Sequence, residues 1–147
     1  MAQFKQIRDG FFIGPQPNEQ DLEKAKQQGI KTVIDFRLPS EIPTSNEKLT
    51  RDGGLDYVNV PVNKASLSEL QIGELDSALQ QKEGPFLLHC ATGARAAMLL
   101  ALRTAKKNHW SAERTFEDAK SMGFDLKTSP EFSAFVTKVA EKCGKRS

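Results

Sequence analysis

The chain has few cysteines and few histidines. Cys90 and Cys143 are the two cysteines among its 147 residues, which excludes the disulfide framework that stabilises many small secreted domains. The two histidines, His89 and His109, do not combine with these cysteines at the ligand spacings of a zinc site. We therefore expect reduced thiols, no bound metal and no cofactor.

Long apolar runs and an excess of one charge are also missing. Residues 1–5 lack the apolar core of a signal peptide, and the longest uninterrupted apolar stretch, residues 96–102, is too short to cross a bilayer. Lysine and arginine total 21 against 19 aspartates and glutamates, and this net charge of +2 does not indicate a nucleic-acid-binding protein. The absences predict a cytoplasmic protein that binds neither membranes nor nucleic acids.

The composition that remains is sufficient for one compact domain. Apolar residues make up 38% of the chain and include nine phenylalanines, enough to form a core without disulfides or a metal. No repeat, low-complexity tract or linker divides the chain. We expect residues 1–147 to form a single domain.

Short strand-like runs alternate with helical patterns along the chain. Runs rich in β-branched and aromatic residues, bounded by glycine, proline or aspartate, predict strands at residues 11–13, 31–36, 55–60 and 86–89. Helical spacing of apolar residues predicts helices over 18–28, 67–81 and 111–122, another after Arg95, and a last one from 129 onward. Alternating strands and helices imply a layered α/β sheet.

Two helices and one loop carry more detailed expectations. Ser66 and Glu69 fit a capping box for the helix over 67–81. The apolar residues expected on one face of that helix are Leu67, Leu70, Leu75, Ala78 and Leu79. In the last helix Cys143 continues the apolar stripe and is most simply a small core residue. Residues 38–46, with two prolines, predict a long loop that could form the wall of a site.

The segment from His89 to Arg95 combines a thiol, a glycine and an arginine between a predicted strand and a predicted helix. A helix N-terminus and an arginine both favour a charged sulfur, so we expect Cys90 to react as a thiolate. The backbone N–H groups of Ala91, Thr92, Gly93, Ala94 and Arg95 can form a nest for an oxyanion, and the planar guanidinium of Arg95 can hold two of its oxygens. The segment therefore predicts an anion pocket with a nucleophile at its floor.

These residues resemble the signature loop of the cysteine-dependent dual-specificity and tyrosine phosphatases. More closely, residues 10–125 resemble the phosphatase-like domain of bacterial β-lactamase-hydrolase-like proteins. This resemblance rests on the segments 13–17, 29–37 with Glu41, 57–62, the Cys90 loop and 119–123. It implies a dual-specificity-phosphatase-like α/β fold with a central, mainly parallel sheet flanked by helices. It also implies that Cys90 is the nucleophile and Arg95 the phosphate clamp.

The loop departs from the phosphatase pattern in two respects. Four residues separate Cys90 from Arg95, whereas tyrosine phosphatases have five and rhodanese sulfurtransferases have four. The residue after the arginine is Ala96, where these phosphatases usually carry a serine or threonine that helps the thiolate leave the phosphoenzyme. The four-residue spacing keeps a sulfurtransferase among the alternatives.

The general acid is not evident in the sequence. Related phosphatases usually hold an aspartate on the loop after the strand that corresponds to residues 55–60, where this chain has Asn63 and Lys64. Asp56 begins that strand instead of ending it, and Glu69 is assigned to the helix cap, so each is a weak candidate for the acid.

Four residues are assigned to the support of the pocket: His89, Asp35, Arg37 and Asn63. His89 is expected to orient the loop through hydrogen bonds, with its side chain on the opposite face of the strand from Cys90. Asp35 is either part of this support or a solvated strand carboxylate. Arg37 is expected to pair with Glu41 at the entry of the long loop, and His109 to be a packing or surface residue.

Three functions remain open at this level. A hydrolase of phosphate monoesters, including phosphotyrosine or other aryl phosphates, would act through a phosphocysteine at Cys90. A sulfur-handling enzyme would carry a persulfide on Cys90 and needs no acid. A non-catalytic module would bind phosphate or another oxyanion without turnover. In each case the expected ligand is a phosphorylated compound or other oxyanion, and no protein partner is predicted.

Overall fold

The computed structural model describes residues 4–15, 17–41, 46–90 and 92–144, which form a five-stranded sheet with helices on both faces. The strands lie in the order β1-β2-β5-β3-β4. Their bounds are β1 Lys5–Arg8, β2 Phe11–Gly14, β3 Thr32–Asp35, β4 Asp56–Asn59 and β5 Phe86–His89. The four predicted strands are confirmed, and each end agrees to within one residue.

The strand at one edge of the sheet, β1, is not predicted by the sequence. It pairs antiparallel with β2, whereas β2, β5, β3 and β4 run parallel to one another. The sequence of β1, KQIR, is mostly polar and its residues are exposed or half-buried, so it lacks the pattern of a buried strand. A short, charged edge strand of this kind limits pairing with other chains. The predicted mainly parallel sheet is confirmed.

Six helices complete the described part of the chain. Their bounds are α1 Glu19–Gln27, α2 Asn46–Asp52, α3 Glu69–Gln81, α4 Ala94–Asn108, α5 Ala112–Ser121 and α6 Pro130–Gly144. Short 3-10 turns lie at Pro39–Glu41, Lys64–Ser66 and Leu126–Thr128. No helix in the described ranges is long and apolar enough to cross a membrane.

The helices cover the two faces of the sheet unequally. Leu22 of α1 and Leu49 of α2 pack with Val33 and Leu87 on one face. The helices α3 to α6 pack on the other face, which carries Ile34 and Leu88. Because side chains alternate along a strand, neighbouring residues of β3 and β5 belong to different layers of the core.

The central helix of the larger layer is α4. Residues 96–102 are each at most 1% exposed, and α4 contacts α3, α5 and α6 as well as β5. A helix that is apolar nearly all round must be covered on every side. The predicted central position of the helix that follows the Cys90 loop is confirmed.

The predicted capping box of α3 is wrong, and its predicted apolar face is confirmed except at Leu70. The capping box is formed by Ser68 and Gln71, whose side chains bond reciprocally to the backbone at the helix start, and not by Ser66 and Glu69. Two overlapping boxes are possible in this sequence, and the structure uses the second. Leu70 is 69% exposed, because it lies about 140° around the helix from the buried Leu75. The buried residues of α3 are Ile72, Leu75 and Ala78.

The region from residue 38 to residue 52 also differs from expectation. A 3-10 turn occupies Pro39–Glu41 within the loop predicted over 38–46, and α2 begins at Asn46 and continues through residues for which the sequence predicts no element. Two ion pairs at i, i+4 spacing support this short helix: Arg51 with Glu47, and Lys48 with Asp52. Residues 42–45 lie outside the described residues, as does the side chain of Cys143, so the predicted site wall and the predicted core position of that cysteine stay predictions.

The exposed and buried leucines of α3 provide a test of its orientation. Leu75→Ala removes a fully buried side chain from the core and is expected to lower the free energy of unfolding by about 2–4 kcal/mol. Leu70→Ala, a matched change on the exposed face, is expected to change it by less than about 0.5 kcal/mol. Urea unfolding followed by circular dichroism measures both values, and equal losses would contradict this orientation.

Candidate functional site

The carboxyl ends of the four parallel strands lie side by side and form one edge of the sheet. The register pairs His89 with both Gly14 and Asp35, and Asp35 with Asn59. The segments that follow the four strands therefore leave the sheet side by side. The Cys90 loop follows β5, at the centre of this edge, as ligand sites do in open parallel sheets.

Cys90 lies at the floor of the loop between β5 and α4. Its side chain is 1% exposed, and it packs on the same face of the sheet as Leu88. The backbone N–H of Gly93 donates a hydrogen bond to Cys90 Sγ at 3.0 Å. Gly93 is the N-cap of α4, so a donor at the start of this helix points at the sulfur.

Gly93 adopts a backbone conformation that favours glycine. Its φ is +104°, a value that residues with a side chain rarely adopt. A Cβ atom at this position would lie 2.7 Å from Phe124 Cζ and 3.4 Å from the carbonyl oxygen of Gly14. Phe124 follows α5 and is partly buried against the core. The glycine therefore permits both the turn of the loop and the close approach of Phe124.

The backbone N–H groups of the other loop residues are not all free to bind an anion. Thr92 is exposed, and its Oγ1 accepts a hydrogen bond from the N–H of Ala94 at 3.3 Å, so this N–H is partly engaged within the loop. Ala91 lies outside the described residues. The binding roles of Ala91, Thr92, Gly93, Ala94 and Arg95 stay predictions.

Arg95 connects the loop to the segment after β4. This half-buried arginine is in the first turn of α4, and its Nη1 donates to the carbonyl oxygen of Val62 at 3.0 Å. The N–H of Val62 in turn donates to the carbonyl oxygen of Phe36 at 3.1 Å. The predicted clamp is thus held by the backbone that continues β3 and β4 beyond the sheet.

A buried ion pair lies on the other face of the sheet, beneath the loop. Arg37 Nε and Nη2 donate to Asp35 Oδ1 and Oδ2, each at 2.9 Å, and both side chains are fully buried. Burial alone would raise the pKa of Asp35, but Arg37 and, to a lesser degree, His89 and Tyr57 outweigh it and lower the pKa below its ordinary value. The side chain of Glu41 lies outside the described residues, so its expected pairing with Arg37 stays a prediction.

The sequence does not predict two further members of this cluster, Tyr57 and Asn59. The Tyr57 hydroxyl donates to Asp35 Oδ2 at 2.8 Å. Asn59 Nδ2 donates to the carbonyl oxygens of Asp35 and Arg37 at 2.7 and 3.0 Å. The available signal was the alternation within the predicted strand over 55–60, which places Tyr57 and Asn59 on the same face.

His89 faces this cluster, on the opposite face of the strand from Cys90 as predicted. The hydrogen bonds expected of it are not seen: neither ring nitrogen has a hydrogen-bond partner among the described residues, and Nδ1 lies 3.9 Å from Asp35 Oδ1. Burial lowers the pKa of His89 from 6.5 to about 4, because it outweighs the carboxylate of Asp35, which favours the charged imidazole; the charge of Arg37 also lowers it. His89 is therefore neutral at pH 7.

Neither weak candidate for the general acid is suitably placed. Asp56 begins β4, at the edge of the sheet opposite the Cys90 loop, and pairs with Lys82 and Arg51 at 3.0 and 3.1 Å. Lys82 in particular lowers the pKa of Asp56, which makes this carboxyl group a poor proton donor.

Glu69 does not form the helix cap assigned to it. It pairs with Lys142 and Lys106 at 2.9 and 3.4 Å, and these lysines lower its pKa despite partial burial. Asn63, assigned to the support of the site, caps the 3-10 turn after β4 by accepting the N–H of Ala65 at 2.9 Å.

The conformation of Gly93 leads to a first prediction for the site. Gly93→Ala forces a side chain into a positive φ and against Phe124, so we expect a loss of about 2 kcal/mol or more in the free energy of unfolding. Gly73→Ala is the matched control, because a Cβ at Gly73 in α3 meets nothing within 4 Å and is expected to stabilise the helix by about 0.5–1 kcal/mol. Chemical unfolding of both variants would contradict this account if they changed stability in the same direction.

The buried neutral His89 leads to a second prediction, on pH dependence. Between pH 6.5 and about 4 the unfolded chain binds a proton at His89 that the folded chain does not, so stability falls as the pH falls through this window. Between pH 7 and pH 5 the loss from this group is about 2 kcal/mol. His89→Gln and His89→Phe are expected to remove most of that loss, as measured by urea unfolding at both pH values.

His109→Asn is the control for this experiment. His109 is exposed and has a φ of 55°, a conformation that asparagine tolerates. A pH dependence that is unchanged by the His89 substitutions, or abolished by His109→Asn, would contradict the assignment.

Comparisons with known proteins agree with this architecture. Residues 3–107 match the family model of the β-lactamase hydrolase-like protein, phosphatase-like domain. A β-lactamase hydrolase-like protein from Xylella fastidiosa is 30% identical over 125 residues, which are 82% of this chain and 29% of the relative. The chain thus spans less than a third of that relative's length.

Solved structures support the same conclusion. A candidate phosphatase (DUF442) from Shewanella putrefaciens is 25% identical with a TM-score of 0.80, covering 98% of this chain and 95% of that one. TpbA from P. aeruginosa, solved in complex with pTyr, is 16% identical with a TM-score of 0.74, covering 99% and 90%. The dual-specificity-phosphatase-like fold is confirmed, and the chain belongs to the phosphatase-like domain family of the β-lactamase hydrolase-like proteins.

Proposed function

We propose that the chain is a phosphatase that hydrolyses phosphate monoesters, with Cys90 as nucleophile and Arg95 as clamp. The observation that carries the proposal is the hydrogen bond from the Gly93 N–H to Cys90 Sγ at 3.0 Å. It orients the start of α4 toward the sulfur, where a transferred phosphoryl group would lie. Membership of a phosphatase-like family supports this reading.

The reaction proceeds in two steps. The Cys90 thiolate attacks phosphorus, a sulfur–phosphorus bond forms, and the bond to the leaving oxygen breaks with its electron pair. The loop N–H groups and Arg95 stabilise the charge on the equatorial oxygens. Water then attacks the phosphocysteine, which releases phosphate and restores the thiolate.

The leaving group determines which esters react well. The segment of residues 60–68 after β4 contains no aspartate or glutamate, and both Asp56 and Glu69 are engaged by lysines. Leaving groups that depart without a proton, such as aryl oxides, are therefore favoured. The pTyr bound by TpbA is an aryl phosphate, which makes this class the first to assay.

The second step is expected to be slow. Ala96, the residue after Arg95, is fully buried and carries no hydroxyl group with which to assist departure of the thiolate. If the second step is slow, the phosphocysteine accumulates and the phenol is released in a burst during the first turnover.

Sulfur transfer is the second candidate function. Four residues separate Cys90 from Arg95, and the segment after β4 lacks a carboxylate, whereas transfer from thiosulfate to Cys90 needs no general acid. The product would be a persulfide on Cys90, with sulfite released from the anion pocket. Anion binding without turnover is the third possibility, and the same assays distinguish all three.

Substitutions in the loop test the proposal. Cys90→Ser is expected to lower the hydrolysis of 4-nitrophenyl phosphate by at least about a thousandfold, and Arg95→Lys by about a hundredfold, because lysine lacks the planar fork. Cys143→Ser is the matched thiol control and is expected to retain activity. The measurements are phosphate release, burst amplitude and the mass of acid-quenched protein.

Each outcome assigns a function. A Cys90-dependent increase of about 80 Da supports the phosphocysteine. An increase of about 32 Da with thiosulfate, together with transfer to cyanide but no phosphate release, would overturn the phosphatase proposal in favour of sulfur transfer. Phosphate binding measured by calorimetry, without phosphate release and without sulfur transfer, would leave anion binding as the function.

A further inference from the structure

The loop between β5 and α4 has two sides, which contact different parts of the structure. In the sheet β5 lies between β2 and β3. On the side of β3 and β4, Arg95 donates to the carbonyl oxygen of Val62. On the side of β2, a Cβ atom on Gly93 would lie 3.4 Å from the carbonyl oxygen of Gly14 and 2.7 Å from Phe124 Cζ. Phe124 therefore lies beside the loop on the side away from the contact of Arg95.

The backbone of Phe124 is fixed by the end of α5. Gly123 has a φ of +103° and donates its N–H to the carbonyl oxygen of Lys120. The N–H of Phe124 donates to the carbonyl oxygen of Ala119 at 3.0 Å. These two hydrogen bonds form a Schellman motif, which ends a helix in one defined conformation. The backbone that carries the ring is thus ordered before a ligand binds, which lowers the entropic cost of a contact with that ring.

The ring of Phe124 is close enough to Cys90 to contact a substrate. Its Cζ atom lies against Gly93, whose backbone nitrogen is 3.0 Å from Cys90 Sγ. Added along this path, the distance between Cζ and the sulfur is at most about 9 Å. Attack on phosphorus requires a sulfur-to-phosphorus distance of about 3–3.5 Å, and the ring of an aryl ester begins two bonds beyond the phosphorus. The ring of a bound aryl phosphate therefore extends to a similar distance from the sulfur as the ring of Phe124.

The chemistry of the Phe124 side chain suits an aryl group. The side chain packs against the core but is half-buried, so part of its apolar surface remains exposed next to the loop. Aromatic rings favour offset or edge-to-face contact with a second ring. We propose that Phe124 is a specificity-determining residue whose ring contacts the aryl group of the phosphate ester in the pocket. This inference rests on the proposed function of Cys90 and Arg95, and it names the residue that selects aryl groups.

Two phosphonates, which have no ester bond to hydrolyse, test the ring contact alone. Phenylphosphonate and methylphosphonate carry the same anionic group, and only the first has a ring. Isothermal titration calorimetry of the native chain is expected to show tighter binding of phenylphosphonate. Phe124→Ala is expected to lower the ratio of the two affinities about fivefold, because the contact between the rings is lost. The affinity for methylphosphonate is expected to stay close to that of the native chain.

Two further variants exclude simpler explanations. Phe124→Leu keeps an apolar side chain against the core and is expected to lower the affinity ratio while remaining folded by circular dichroism. Phe12→Leu makes the same change at a half-buried phenylalanine of β2 that packs on the other face of the sheet, and is expected to leave the ratio unchanged. Equal losses of affinity for both phosphonates in the Phe124 variants would show that the ring only supports the loop, and would overturn the inference.

Failure of this inference differs from failure of the proposed function. Cys90-dependent hydrolysis of 4-nitrophenyl phosphate, combined with an unchanged affinity ratio in Phe124→Ala, overturns the inference alone. A preference for phenylphosphonate that depends on Phe124, without phosphate release from 4-nitrophenyl phosphate, overturns the proposed hydrolysis alone. Absence of binding of either phosphonate, with no difference in phosphate release between the native chain and Cys90→Ser, overturns both.

Discussion

The parallel register of the sheet is the constraint on which the rest of the structure depends. It aligns Gly14, Asp35, Asn59 and His89 at one edge, and backbone hydrogen bonds continue it beyond the strands. The N–H of Phe36 donates to the carbonyl oxygen of His89 at 2.8 Å, and the N–H of Val62 donates to that of Phe36. Since Arg95 Nη1 donates to the next carbonyl in this series, on Val62, the orientation of the Arg95 side chain follows from the pairing of the strands.

The same edge holds a buried charge pair on the face away from Cys90. The side chains of Asp35 and Arg37 are both fully buried. The attraction within such a pair adds little to folding stability, but removing one partner leaves a buried, unpaired charge and costs about 3–5 kcal/mol. Tyr57 donates to the Asp35 carboxylate and Asn59 to the backbone carbonyl oxygens of both residues where β3 leaves the sheet, whereas Arg37 Nη1 has no partner among the described residues. His89 lies against this pair with Nδ1 3.9 Å from Asp35 Oδ1, and burial disfavours its protonated form.

The chemistry of the site depends on an imbalance between binding groups and proton donors. The N–H of Gly93, at the start of α4, donates to Cys90 Sγ, and Arg95 in the first turn of α4 is the clamp that we propose. The segment after β4 offers Asn63 and Lys64 in place of a carboxylate, and Asn63 is occupied in capping its own turn. This composition favours leaving groups that are stable as anions, which is the reason for proposing aryl phosphates as substrates.

The sequence by itself determined the class of fold, four of the five strands, most of the helices and the residues of the Cys90 loop, because periodicity, caps and glycine positions act locally. It failed where two local choices were equivalent, as with the overlapping capping boxes of α3, and where polar surface elements such as β1 and α2 lack an apolar pattern. Only the tertiary structure decided that Arg37 pairs with Asp35, that Tyr57 joins them, and that Val62 holds Arg95. Those partners lie on different strands and loops, and a one-dimensional pattern contains no information on which side chains the register brings within hydrogen-bonding distance.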